Sequence, residues 1–222
     1  MSKPGLVTGA LTLVLALSAL AGPEPAAADS GAAPVLQLGS RGSSVLALNR
    51  RLAVLTYLRS DQVSGLFTRA TFHGVVAFQK YSRLVRDGIV GPQTRAALRE
   101  ASRPKPMLTR PGRRIEVSLR RQLAFFVARN KVVRTVAVST GRRGYATPSG
   151  SFSVYRRERL SWSVPYRIWL PWAAYFHRRG IAFHRARHVP PYPASHGCVR
   201  VPTPFAREVY SFAQLGTPVA VR

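Results

Sequence analysis

The segment PASHGCVRVP, residues 193–202, contains Cys198, the only cysteine of the 222-residue chain. His196 precedes this thiol by two positions and Arg200 follows it by two. In an extended segment, side chains two residues apart point to the same side, so the three groups are expected to share one face. Neighbouring cationic groups favour the nucleophilic thiolate. The segment therefore indicates a nucleophile. The cysteine count alone also fits an intermolecular bridge, and it fits a small buried structural thiol better than either.

The backbone of the same segment offers hydrogen-bond donors. Gly197 has no side chain, so a substrate carbonyl can approach the N–H groups of Gly197 and Cys198 closely. Such N–H groups stabilise the oxyanion that develops when a nucleophile attacks a carbonyl carbon. We therefore expect an oxyanion site next to the thiol.

A thiol nucleophile needs a general base, and an imidazole is the usual choice. The candidates are His177, His184, His188 and His196. His184 is preferred because it ends the strand-like run GIAFH, which would hold its ring rigidly, although each histidine also fits an ordinary structural role. Only Glu116, Glu158 and Glu208 are acidic between residues 113 and 222. A backbone carbonyl is therefore expected to orient the imidazole instead of a carboxylate.

The same histidines and Cys198 also have the ligand chemistry of a zinc site. Three prolines between residues 190 and 193 prevent one helix from presenting His188 and His196 together. The acidic ligand or base that a zinc peptidase needs is missing. We therefore predict no metal and no cofactor.

The N-terminus is typical of an export signal. Lys3 is followed by an apolar run from Leu6 to Ala21 and then by the small residues of AAADS. This order predicts a secretory signal peptide over residues 1–28, cleaved near Ala28, and an exported protein of the cell wall. A retained N-terminal anchor is the alternative.

The chain is strongly basic, with 34 Lys and Arg against 8 Asp and Glu, and carries a formal net charge of +26. Such a charge is typical of nucleic-acid binding. Export argues against a nucleic-acid partner and favours anionic polymers of the cell envelope, which the same electrostatics would hold. A compositional bias towards arginine on a solvated surface is the plain alternative.

The segment ASRPKPMLTRPG, residues 101–112, is typical of a linker because it holds three prolines and no apolar period. Before it, residues 35–100 have helical periodicity, with helices predicted over 43–58, 68–82 and 91–101. The expected start signals are Ser43 or Ser44, Thr68, and Pro92 in the first turn.

After it, residues 113–222 contain strand-like runs such as IEVSL, LAFFVA and VVRTVAVS, and one helical stretch, PTPFAREVYSFAQ. The fold class is therefore multidomain, with a small three-helix module followed by a mainly β domain that contains a few short helices.

An internal repeat lies in the first half, where SGLFTRAT at 64–71 aligns with DGIVGPQT at 87–94. With LQLGSRGSSVLALNRRL and the FQ pair at 78–79, these segments resemble the type 1 peptidoglycan-binding module over residues 36–99. The resemblance implies a three-helix domain that binds the cell wall. Ser64 stands where the first half-repeat of that family usually carries aspartate.

From about Arg114 to Arg222 the chain resembles the L,D-transpeptidase catalytic domain. The family's hallmark is a histidine followed by S-H-G-C-x-[RN], matched here by His184 and by SHGCVR at 195–200. The upstream STGRRGYATPSGSFSV, 139–154, is similar to the family's turn-and-strand entry to the site, and residues 164–184 are similar to the aromatic segment framing its cleft.

This resemblance implies roles for individual residues. Cys198 is the nucleophile, His184 the base and His196 a further member of the catalytic set. Ser195, Gly197 and Arg200 shape the site or stabilise the oxyanion. Arg185 follows His184 where the family often has glycine or serine, so its carbonyl is expected to orient the ring. The aromatic candidates for substrate contact are Tyr166, Trp169, Trp172 and Tyr175, of which Tyr166 is preferred.

The implied reaction joins peptidoglycan stem peptides. Cys198 attacks the third residue of a tetrapeptide donor, and the acyl group passes to a third-residue amine of an acceptor stem, which gives a 3-3 crosslink. The resemblance also implies acylation of Cys198 by β-lactams of the carbapenem class. L,D-carboxypeptidation, attachment of a protein to the wall, and a catalytically inactive wall-binding protein are the alternatives.

Overall fold

The computed structural model describes residues 1–2 and 34–222. The expected signal peptide, with its cleavage site near Ala28, therefore lies outside the described residues apart from its first two. The described residues from 34 onwards belong to one unit, Ala33–Arg222. Among the helices that the structure describes, none has the length and apolar character needed to cross a membrane.

The N-terminal part of this unit contains three α-helices, as predicted: α1 (Ser43–Val54), α2 (Arg69–Ser82) and α3 (Pro92–Glu100). A short 3-10 helix, Ser60–Gln62, lies between α1 and α2. Thr68 caps α2, because its side chain accepts a hydrogen bond from the Thr71 N–H. The predicted serine cap of α1 was wrong. Gly42 occupies the cap position with a φ of 113°, a conformation that a serine adopts only with strain.

The two half-repeats use the same hydrogen-bonding scheme. In the second, Asp87 Oδ1 accepts from the Ile89 N–H at 2.9 Å and from Gln79 Nε2 at 2.7 Å. In the first, Ser64 Oγ accepts from the Leu66 N–H at 3.3 Å. Serine thus caps its turn as the aspartate does, through a longer hydrogen bond.

The C-terminal part is mainly β, as predicted. Its strands are β1 (Arg114–Ser118), β2 (Leu123–Ala128), β3 (Lys131–Ala137), β4 (Gly150–Ser153), β5 (Arg156–Ser163), β6 (Ile168–His177), β7 (Ile181–Ala186), β8 (Val199–Pro202) and β9 (Pro218–Val221). They form two sheets with strand orders β3-β2-β1-β9-β4 and β5-β6-β7-β8. Strands β1 and β9 are parallel, as are β7 and β8, and the other neighbours are antiparallel.

A fourth α-helix, α4 (Thr203–Phe212), follows β8 and packs on the second sheet. Its Phe205 and Val209 join one large core with Phe183 of β7. A smaller cluster contains Ala182 and Tyr175 and lies on the opposite face of the same sheet. The second sheet is therefore apolar on both faces.

The helical part contacts the first sheet through α2 and β3. The ammonium group of Lys80, in α2, is buried and donates to the carbonyls of Gln122 at 3.0 Å and Val138 at 2.9 Å. The Thr135 N–H donates to the Thr56 carbonyl at 2.9 Å. Specific polar contacts thus join the two parts across a buried boundary.

Candidate active site

Strands β7 and β8 bring the predicted catalytic groups together. Their parallel register pairs Phe183 with Val199 and His184 with Arg200. Cys198 directly precedes β8 and so lies beside Ala182, one diagonal step from His184. His184, Cys198 and Arg200 are therefore placed on one face of the second sheet, the face opposite α4.

The ring of His184 is only 8% exposed, and its Nδ1 lies 2.9 Å from the carbonyl oxygen of Arg185. A carbonyl can only accept, so Nδ1 carries the proton and Nε2 keeps its lone pair. Burial lowers the pKa of His184 from 6.5 to about 4. The ring is therefore neutral at neutral pH and available as a base, oriented by a backbone carbonyl as expected.

Cys198 is partly exposed, and its Sγ donates to the Gly180 carbonyl at 3.8 Å. Burial raises the pKa of the Cys198 thiol, while a backbone hydrogen bond from Ala182 and the charge of Arg200 act in the opposite direction. The sequence had suggested that cationic neighbours lower the pKa of this thiol below its usual value. They do not, because the effect of burial is larger. The thiol stays protonated until a base takes its proton.

His196 does not share the face of Cys198 through strand alternation. Gly197 has a φ of 117°, and β8 begins only at Val199. This left-handed turn breaks the extended pattern, so the side-chain alternation assumed from the sequence does not reach His196. The prediction of one shared face holds for Cys198 and Arg200 alone.

His196 is exposed and held by three side chains around it. The ring of Tyr166 stacks on it with centroids 4.8 Å apart, and Tyr145 meets it edge-on at 4.6 Å. Arg142 Nη2 lies 2.8 Å from His196 Nε2. A guanidinium has donors only, so this nitrogen accepts and carries no proton. His196 therefore connects the catalytic loop with the β5–β6 turn that carries Tyr166.

Ser195 is buried and shapes the loop from within. Its Oγ accepts from the Gly197 N–H at 3.0 Å and donates to the Cys198 carbonyl at 2.5 Å. The Gly197 N–H, a predicted oxyanion donor, is therefore already bonded in this structure. Thr147 Oγ1 donates to the Gly197 carbonyl at 2.7 Å and fixes the same turn from outside.

The loop that supports Cys198 contains residues to which sequence reasoning gave no role, namely Gly141, Arg142, Tyr145 and Thr147. A Cβ atom on Gly141 would lie 1.9 Å from the Tyr145 carbonyl oxygen, so only glycine fits there. The Gly141 N–H donates to Thr147 Oγ1 at 2.9 Å. The signal for these residues was present in the motif STGRRGYATPSG, which was noted as a segment only.

A cavity of about 480 Å³ lies beside the catalytic face, with His184, Arg200, His188 and Trp169 among its lining residues. Of the other aromatic candidates, Tyr175 is buried and donates to or accepts from Ser161 Oγ at 2.8 Å. Trp172 packs against Tyr210 of α4. Tyr166 and Trp169 are thus the aromatic candidates at the site, and the described residues form no cluster of three His, Cys, Asp or Glu suited to a metal.

Comparison with known proteins shows the family of this fold. The family model of the L,D-transpeptidase catalytic domain matches residues 112–221. The crystal structure of an L,D-transpeptidase from Xylanimonas cellulosilytica superposes with a TM-score of 0.78 at 36% identity, covering 86% of this chain and 98% of that one. The chain belongs to the L,D-transpeptidase family.

Two further comparisons extend this assignment of an L,D-transpeptidase. An L,D-transpeptidase from Stackebrandtia nassauensis matches with a TM-score of 0.52 at 25% identity, covering 84% of this chain and 94% of that one. The family model of a peptidoglycan binding domain matches residues 41–98, which include α1, α2 and most of α3. The curated proteins contain no match to the chain.

Proposed function

We propose that the protein is an exported L,D-transpeptidase that forms 3-3 crosslinks between peptidoglycan stems through an acyl-enzyme on Cys198. The observation that carries this proposal is a buried His184, oriented by the Arg185 carbonyl, on the same sheet face as the only thiol of the chain. This arrangement supports nucleophilic catalysis without a carboxylate.

In the first half-reaction, the Cys198 thiol transfers its proton to His184 Nε2 as Sγ attacks the carbonyl carbon of the third stem residue. A tetrahedral oxyanion forms and then collapses, which breaks the peptide bond to the terminal D-alanine. The amine of D-alanine leaves with the proton from His184. The products are a thioester on Cys198 and free D-alanine.

In the second half-reaction, the side-chain amine of a third residue in a neighbouring stem attacks the thioester carbon. His184 takes a proton from this amine, and Sγ leaves with the bonding electrons and regains a proton. An amide bond forms between the two third residues, and the free thiol returns. The neutral state of His184 suits both steps because the ring must accept a proton in each.

The remaining site residues support these steps. Arg200, paired in register with His184, supplies positive charge beside the developing oxyanion. The N–H of Cys198 is an oxyanion donor, and the N–H of Gly197 joins it if Ser195 Oγ gives up its hydrogen bond. Tyr166 lies exposed against His196 and offers a ring face to the substrate.

The N-terminal module supplies binding to the wall. A groove of about 430 Å³ runs between α1 and α3, with the apolar Leu48 and Leu98 and the cationic Arg51 and Arg95 among its lining residues. Apolar surface with a few charged groups is typical of small-ligand sites. We propose that this module holds the enzyme on peptidoglycan while the β domain acts on stem peptides.

The test is a reaction of purified protein lacking residues 1–28 with a defined disaccharide-tetrapeptide, followed by mass spectrometry. The expected product is a dimer that has lost D-alanine from the donor, and Cys198→Ser should form none. Free tripeptide product in place of dimer would identify a carboxypeptidase. Equal product from Cys198→Ser and wild type would refute catalysis by this thiol. A carbapenem should also add its mass to the wild type and not to Cys198→Ser.

A further inference from the structure

A second cavity lies between the second sheet and α4. Its volume is about 340 Å³, and Arg157 and Arg159 of β5, Trp172 of β6, and Arg207 and Tyr210 of α4 line it. Ser211 and Gln214 complete its lining, and no acidic residue contributes. Three guanidinium groups therefore converge on one concave surface.

This cavity is on the opposite side of the sheet from the catalytic groups. The register pairs Arg157 with Ala174, Ala174 with Phe183, and Phe183 with Val199, so these residues share one face. His184 follows Phe183 and points to the other face. A ligand in this cavity therefore leaves the thiol and its base unobstructed.

The cavity residues come from two regular elements that face each other. Arg159 and Arg157 are two positions apart on β5 and so project to the same side. Arg207, Tyr210 and Ser211 are spaced by three and four positions and form one stripe along α4. The sheet face and the helix stripe thus build the two walls from rigid secondary structure.

The positive charge in this cavity has no partner in the part of the chain that the structure describes. The neighbouring carboxylates are engaged elsewhere, since Glu158 pairs with Arg156 and Glu208 pairs with Arg134. Arg157 donates to Gln214 Oε1 and to the Tyr210 carbonyl, both at 2.9 Å. Its Nε is buried and has no hydrogen-bond partner among the described residues. An anion in the cavity would relieve the repulsion between its three guanidinium groups.

The aromatic rings hold the guanidinium groups in place. Arg157 Cζ lies 4.2 Å from the centroid of Tyr210, and Arg207 Cζ lies 5.8 Å from that of Trp172. Trp172 has a φ of 57° inside β6, a strained conformation for a non-glycine residue. The stacking fixes the positions of these two guanidinium groups, while the ring edges offer apolar surface.

We propose that this cavity binds a sugar unit of an anionic polysaccharide through the phosphate or carboxylate that the sugar carries. Guanidinium groups match both anions with paired hydrogen bonds, and the aromatic edges suit the apolar side of a sugar ring. A volume of about 340 Å³ is at the lower end for ligand sites and accommodates about one substituted sugar. This site goes beyond the proposed crosslinking function, because it gives the protein a specific binding site for an anionic polysaccharide in addition to its general positive charge.

The test measures binding to the full mature chain by calorimetry. The probes are glucose 6-phosphate, glucuronate, inorganic phosphate and uncharged glucose. At least one charged sugar should bind more tightly than inorganic phosphate and than glucose, and which of the two binds identifies the anion. Arg159→Gln combined with Arg207→Gln should weaken this binding about tenfold or more, because two charge-assisted contacts are lost.

The matched control is Arg50→Gln combined with Arg120→Gln, which removes the same charge from two exposed positions outside the cavity. The affinity of this control for the sugar should stay within about twofold of wild type at 0.15 M salt, because salt screens the interaction of distant surface charges with the ligand. Equal weakening in both double variants, or no preference for a charged sugar over phosphate, would overturn the proposal. Turnover of a soluble muropeptide should be unchanged in both variants, so this test stands apart from that of Cys198.

Discussion

The Nδ1 atom of His184 lies 2.9 Å from the carbonyl oxygen of Arg185, its neighbour in β7. This contact fixes the protonated nitrogen of the ring and leaves Nε2 as the basic nitrogen. In the proposed mechanism it takes the place of the carboxylate in a catalytic triad. Since a backbone carbonyl serves, the arginine side chain at position 185 does not interfere with the hydrogen bond.

The first prediction concerns the acid limb of the pH profile. His184 must be neutral to act as a base, and burial lowers its pKa from 6.5 to about 4. The kcat/KM for crosslinking should therefore persist below pH 6 and fall with a midpoint near 4. A midpoint at or above the ordinary histidine value, in protein that is still folded, would contradict the assignment.

The fold must be followed in the same experiment by circular dichroism. Burial also lowers the pKa of His73 to about 4. Both rings stay neutral in the folded protein while the unfolded chain protonates them near 6.5, so the free energy of unfolding falls as the pH drops from about 6.5 to 4.

At a pH where the protein is folded, His184→Gln should lower kcat/KM about 10²- to 10⁴-fold. The control His177→Gln, at a histidine outside the cavity that His184 lines, should change kcat/KM little.

The second prediction concerns Gly141. A Cβ atom there would lie 1.9 Å from the Tyr145 carbonyl oxygen and 2.7 Å from the Thr147 nitrogen, so the loop must shift. Thr147 holds the Gly197 carbonyl, so the shift moves the turn before Cys198. Gly141→Ala should lower kcat about tenfold or more, because small displacements of catalytic groups are costly.

Gly91→Ala is the matched control, because nothing lies within 4 Å of its Cβ position and its φ is −81°. It should retain wild-type kcat, with a loss of stability of about 1 kcal/mol or less because alanine is a poorer helix N-cap than glycine. If Gly141→Ala also retained wild-type kcat, the loop would have no part in placing the nucleophile.

The third prediction concerns Tyr166, which is 45% exposed and stacks on His196 with centroids 4.8 Å apart. Tyr166→Ala removes a ring face from the substrate side and should raise KM several-fold with a smaller effect on kcat. Tyr166→Phe keeps the ring and should behave like wild type. An unchanged KM in the alanine variant would remove Tyr166 from the substrate site.

The fourth prediction concerns the buried ammonium group between the module and the β domain. Burial lowers the pKa of Lys80 from 10.5 to about 7. Between these values the folded protein holds the amine neutral while the unfolded chain protonates it, so the free energy of unfolding rises with pH. The slope contributed by this group approaches about 1.4 kcal/mol per pH unit.

Lys80→Met removes the titrating group, so the slope between pH 7.5 and 9.5 should flatten by about that amount. Urea unfolding at three pH values in this range measures it. Lys131→Met, at an exposed position of β3, is the control and should keep the wild-type slope. Identical slopes in the two variants would show that Lys80 does not titrate in this window.

The sequence predicted the helices and strands well because these depend on local pattern. The cap of α2 at Thr68 and the start of α3 at Pro92 follow from residue preferences at helix ends. The carbonyl contact of His184 was predictable because the second half of the chain has so few carboxylates.

Other features depend on tertiary structure and could not be predicted. The prediction that strand alternation places His196 on the face of Cys198 was wrong, because the left-handed turn at Gly197 ends the strand pattern. The pKa of Cys198 is raised because burial outweighs the charge of Arg200, and burial is set by packing between distant segments. The arginine cavity combines β5 with α4, which are far apart in sequence.

The most direct test of the central claim is the intact mass of the protein after brief mixing with a tetrapeptide donor and no acceptor. We predict a fraction of the protein heavier by the donor minus D-alanine, with the added mass located on the peptide that contains Cys198. Cys198→Ala should show no adduct, and His184→Gln should form it more slowly. An adduct on another residue, or D-alanine release by Cys198→Ala at the wild-type rate, would contradict nucleophilic catalysis by Cys198.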